Sequence, residues 1–119
     1  MTNRLLIVTV LANLRELADE NYQRRVWTSS SGPEMSSFDE DVCGLFDDSG
    51  LGDELDKPGP VFSEVIDRHL RVLDARLQSI DARCHPLEVI QDPRMEEVRA
   101  QAKHLLDLFA FEGYDVGAS

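Results

Sequence analysis

Apolar positions recur at helical spacing along most of this chain. From residue 2 to about residue 20, Ile7, Val10, Leu11, Leu14, Leu17 and Ala18 fall on one face, with Thr2 placed to cap the start. Leu5, Leu6 and Val8 add apolar surface off that face, which predicts a central place for the first turns. The β-branched stretch Ile7-Val8-Thr9-Val10 also suits a strand, but the length and the continuing period select a helix. Residues 21–27 either extend this helix or form a short second one. The run Thr28-Ser29-Ser30-Ser31-Gly32-Pro33 reads as a loop.

A second helix is announced by Ser37 with Glu40 three residues on, the pattern of a capping box. Asp39, Glu40 and Asp41 in its first turn complement the helix dipole, and Phe38, Val42, Leu45 and Phe46 supply its buried face. It is expected to stop near Asp48-Ser49-Gly50, followed by a short turn over 51–55 and the breaker Lys57-Pro58-Gly59-Pro60. Residues 61 to about 82 carry the clearest stripe: Phe62, Val65, Ile66, His69, Leu70, Leu73, Leu77 and Ile80. Residues 83–91 read as a connector around Pro86, packed down by Leu87, Val89 and Ile90. Asp92 followed by Pro93 is a strong helix start. Val98, Ala102, Leu105, Leu106 and Phe109 form the face of that last helix, and Gly113 is placed to cap its end. Leu73 and Leu106 are expected in the core. The pattern predicts an all-α fold, one domain over residues 1–119 built as a bundle of four or five helices.

The length of 119 residues and the 42% of apolar residues suit one domain with a core of its own. The apolar run at 5–11 follows a single positive charge, as in a weak signal peptide. It is too short to span a bilayer, lacks a small-x-small cleavage site and continues the helical period, so it is read as part of the mature fold of a cytoplasmic protein. Cys43 and Cys84 form no zinc spacing or disulfide framework and are expected as buried thiols, although pairing between them stays open.

Most chemistry-bearing patterns fail on spacing. An EF-hand loop begun at Asp47 puts Leu51 at position 5 and Pro58 at position 12, where ligands belong. Neither His69 nor His104 has a carboxylate three or four residues before it, and no HExxH is present. His69 reads as a core or boundary residue, His104 as an i+3 ion-pair partner of Asp107, and His85 as solvated. No serine or cysteine lies in a nucleophile signature, and Gly50 and Gly52 sit among carboxylates that would repel a phosphate. The expectation is a protein that is not an enzyme, with no metal site and no cofactor. An enzyme using scattered carboxylates is the alternative of a different class.

Two features stand out. Lys plus Arg number 12 and Asp plus Glu 23, a net charge of −11. Eight of those acids fall in eighteen residues with no Lys or Arg between them: Asp39, Glu40, Asp41, Asp47, Asp48, Asp53, Glu54 and Asp56. Such a surface disfavours nucleic acid and anionic membranes and favours a basic protein partner. The plainer reading is a solvated helix end and acidic loop. The other feature is Tyr22-Gln23-Arg24-Arg25-Val26-Trp27, which gathers the only Trp with residue types common in interface hot spots. Here the plainer reading is a pair of aromatics, Tyr22 and Trp27, that close the core. The apolar stripe of 61–82 is also compatible with a homodimer.

In size, acidity, helical pattern and carboxylate clustering the chain resembles the immunity proteins of bacterial toxin systems. The segments Tyr22–Trp27 and Ser37–Asp48 look like signature stretches of a bacterial protein family. The resemblance implies tight binding that occludes or disables a cognate toxin, and it carries over no site residue. A regulatory or scaffold module that binds a basic partner without inhibiting it is the nearest alternative.

Overall fold

The computed structural model describes residues 7–28, 38–81 and 85–114; for Asp39 and Asp48 it describes the backbone alone. Of these residues 80% are helical and none is in a strand. The helices are α1 (Ile7–Ala18), α2 (Glu20–Tyr22, running on into a π turn Gln23–Trp27), α3 (Phe38–Cys43, running on into a π turn Gly44–Asp48), α4 (Leu51–Asp56), α5 (Glu64–Gln78), α6 (Pro86–Gln91) and α7 (Pro93–Phe111). Five segments are long enough to build the bundle, and α4 and α6 are single short helices within its connections.

The end of each helix follows from its local chemistry. Asp19 takes an extended conformation and accepts from the Tyr22 amide at 3.1 Å, so residues 20–27 form a second helix rather than extending the first. His85 does the same for α6: its Nδ1 accepts from the Leu87 amide at 3.1 Å, with Pro86 at the first helical position. The expected connector over 83–91 is therefore partly a helix, although Leu87 stays exposed rather than packing down. Asp92 caps α7 as expected, accepting from the Arg94 amide at 2.9 Å. The Arg94 guanidinium beside it holds the Asp92 carboxyl below the usual carboxylate range.

At the far end of α7, Gly113 turns left-handed at φ 100°. The Tyr114 amide reaches back to the Phe109 carbonyl (2.9 Å) and the Gly113 amide to the Ala110 carbonyl (3.1 Å), the bond pair of a Schellman cap. Its apolar contact is also present: the Tyr114 and Phe109 rings meet edge to face at 5.2 Å, and Phe62 closes the cluster at 4.8 Å from Phe109. The Ser37 capping box, Thr2 and Cys84 lie outside the described residues.

Helix α7 is the spine, contacted by both α1 and α5, and α5 runs antiparallel to it. Ser63 at the start of α5 donates to Glu112 at the end of α7 (2.8 Å), and Arg76 near the end of α5 bonds Glu97 near the start of α7 (3.0 Å). The core is one cluster in which Val10, Leu14, Leu17, Leu45, Leu51, Ile66, Leu70, Leu73, Met95, Val98, Leu105 and Phe109 are fully or almost fully buried. Leu73 holds its expected place. Leu106, also expected in the core, is only partly buried, because α7 turns Leu105 and Phe109 inward and leaves Leu106 at the edge of the stripe. Val65 falls at the edge of the α5 stripe in the same way and is exposed.

One polar network ties the core together. Gln23, fully buried, donates from Nε2 to the Glu16 and Leu17 carbonyls (2.9 Å each), two of the orphan acceptors at the end of α1. Its Oε1 accepts from Arg99 Nη1 at 2.9 Å, and Arg99 also reaches the Ile90 carbonyl at 3.3 Å. Glu20 stands 3.9 Å from the same guanidinium. A buried guanidinium is tolerated only with such partners. Here they join α1, α2, α6 and α7 at one point.

Candidate functional site

The helical turn α3 and its π extension pack on α1, and together with α4 they face the polar flank of α5 across a groove. Gly44 allows the approach: a Cβ there would stand 2.8 Å from the Asn13 side chain, which is itself held to the Thr9 carbonyl at 2.8 Å. Ser49, fully buried, accepts from the Leu51 amide at 3.1 Å and so turns the chain from the π turn into α4. Gly50, left-handed at φ 82°, completes the corner.

A groove of about 660 Å³ opens between this corner and α5. Its apolar lining comes from Val42, Phe46 and Leu55, and its carboxylates from Asp47, Asp53 and Asp56 on one side and Asp74 on the other. Arg71 is the one cation of the described residues that line it, and its Nη2 is committed to the Leu55 carbonyl at 3.0 Å. Gln78 and Cys43 complete the lining. The Cys43 thiol, expected to be buried, is exposed, because the α3 face that carries Phe38, Leu45 and Phe46 inward turns position 43 outward.

The acidic segment is thus divided by its helix faces. Asp47, Asp53 and Asp56 reach the groove. Glu40 is exposed, and Glu54 pairs with Lys57 at 3.1 Å. Asp41 points inward and is 2% exposed, so it is not surface available for docking. The side chains of Asp39 and Asp48 are not described.

The aromatic segment is placed differently. Trp27 is 4% exposed and packs edge to face on Phe38 at 5.9 Å, a core position. Tyr22 is half-buried with the Arg25 guanidinium 5.6 Å above its ring, and Arg24 pairs with Glu20 at 2.8 Å. Arg24 is also the main cause that holds the Glu20 carboxyl below its usual range.

Asp74, Arg71 and Gln78 are groove residues that the sequence pattern does not single out. Their spacing of three and four residues puts them on one side of that helix, but nothing local says that α3 and α4 would face them. Among the described residues no cluster of three or more His, Cys, Asp or Glu is arranged to hold a metal ion, and no helix is long and apolar enough to cross a membrane. Gly50 makes the corner into α4, and Gly52 lies within that helix. No family model matches the chain, and no curated protein and no solved structure matches it either.

Proposed function

We propose that this chain is a non-catalytic binding module that receives a cationic segment of a protein partner in the groove between α3–α4 and α5. Its proposed setting is the cytoplasm, as an immunity protein that neutralises a bacterial toxin. The observation that carries the reading is the pairing of four carboxylates with an apolar floor in one concavity. Lys and Arg side chains bury an apolar stem while keeping a charged head near its counterion, and this groove offers both surfaces. A toxin that binds phosphates or substrate with Lys and Arg presents the same side chains to a carboxylate groove. Complementary charge then speeds the encounter, and the depth of the groove governs dissociation.

The test uses a fluorescent arginine-rich peptide and the fourfold change of Asp47, Asp53, Asp56 and Asp74 to Asn. Solvent-exposed ion pairs contribute ~0.2–1 kcal/mol each, so losing all four should weaken binding by about fourfold to several hundredfold. Wild-type binding should also weaken with salt as the Debye length shrinks from ~30 Å at 0.01 M to ~3 Å at 1 M. Equal affinity of the two proteins would reject the groove. The immunity role is tested by co-expression with a basic toxin domain encoded beside this chain: wild type should restore growth and the fourfold variant should not.

A further inference from the structure

His69 lies on the seam between α5 and α7. Its ring meets that of His104 edge to face, 4.9 Å between centroids and 72° between planes. The ion pair of His104 with Asp107 anticipated from their spacing is not among those of the described residues; the ring packs on His69 instead. Gln101, on α7 one turn before His104, donates from Nε2 to the His69 carbonyl at 3.3 Å and lies 3.5 Å from His69 Nδ1. The carbonyl contact orients the amide, because a flipped amide would set oxygen against oxygen. A donor therefore faces Nδ1, and the tautomer this admits is the neutral ring with its proton on Nε2.

Proton uptake would put an N–H on Nδ1, opposite the Gln101 N–H. The new cation would face two charged or titratable groups, Arg68 on its own helix and His104 on α7, and both oppose it. Burial is the largest cause that already holds His69 below the ordinary histidine range, with His104 and Arg68 adding to it. The same arrangement speaks against a metal at this pair, since a ligating histidine donates its second N–H to an acceptor and here that nitrogen faces a donor.

We propose that His69, Gln101 and His104 form an acid-sensitive latch: with His69 neutral the seam holds α5 against α7, and protonation of His69 breaks the Gln101 contact and loosens α5. The sign follows from linkage. The unfolded chain takes up the proton more readily than the folded one, so the latch is intact above the ordinary histidine pKa of about 6.5. It is lost as pH falls from there through the lower folded-state value.

The experiment is a proton NMR titration of the three imidazoles in the full chain, with guanidinium melts and amide exchange at pH 7.5 and 5.5. His69 should titrate below an unperturbed histidine, and His104→Gln should move its midpoint upward. The wild-type melting midpoint should fall at pH 5.5, with faster exchange in α5, and His69→Gln should remove most of that fall. His85 is the competing source, because its Nδ1 caps α6 and also needs its lone pair. His85→Asn keeps a capping acceptor without a titrating ring, and the fall should persist in it. A fall that vanishes in His85→Asn and persists in His69→Gln overturns the latch, as does a His69 midpoint at or above the ordinary value. If His69→Gln does not fold, the response of the His69 midpoint to His104→Gln decides alone.

Discussion

Residues 20–27 and 38–56 begin alike and end differently. Each starts as an α-helix and widens into a π turn, Gln23–Trp27 in one and Gly44–Asp48 in the other. Widened turns of this kind are rare and often sit where a chain must re-aim its side chains. In the first, Gln23, Val26 and Trp27 are all buried, while Arg24 and Arg25 face solvent. In the second, Leu45 and Phe46 are buried and Asp47 is turned out to the groove. The difference lies in what surrounds each turn. The first is enclosed by the buried Arg99 from α7 and the ring of Phe38. The second is backed by α1 on one side only, through Gly44 and Asn13, so its other side stays open. Residue type alone suggested two interface segments; helix face makes one a core anchor and leaves the other a surface.

Trp27→Ala is the strongest way to break this contrast. Loss of a buried Trp should cost about 3–5 kcal/mol in a denaturant melt. A cost below ~1 kcal/mol would return Trp27 to the surface and revive it as a docking residue. Gly44→Ala probes the other turn. The added methyl must displace Asn13 from the Thr9 carbonyl, overpacking that typically costs ~1–3 kcal/mol, against which the better helix propensity of Ala returns about 1 kcal/mol. The net expectation is a loss of about 1 kcal/mol that shrinks in an Asn13→Ala background, because the two residues share one contact. Additive melts would place the Gly44 constraint elsewhere. The smallest effect belongs to the acids themselves: Asp53→Asn with Asp56→Asn should leave stability within ~0.5 kcal/mol of wild type. A larger loss would make those carboxylates part of the fold rather than of a docking surface.

Local spacing encodes the helical class, the breaks and most of the core. These rest on interactions within one turn of chain. Asp92 and Pro93 begin α7, Gly113 ends it, and the stripe of Ile66, Leu70, Leu73 and Leu77 marks the inner face of α5. Each is encoded by spacings of one to five residues, where chain geometry leaves few choices. The short helix α6 escaped because His85 is an unusual cap, although Pro86 at the first helical position was the available signal. Contacts between distant segments arise only when the helices pack. Gln23 and Arg99 meet across 76 positions, and Gln101 meets His69 across 32. Asp74 joins Asp47, Asp53 and Asp56 around one groove only because α3 and its π turn dock on α1 and so come to face α5. A polar residue's local pattern states whether it can face water. Which other element faces it depends on how the apolar stripes dock, and that is a property of the whole chain.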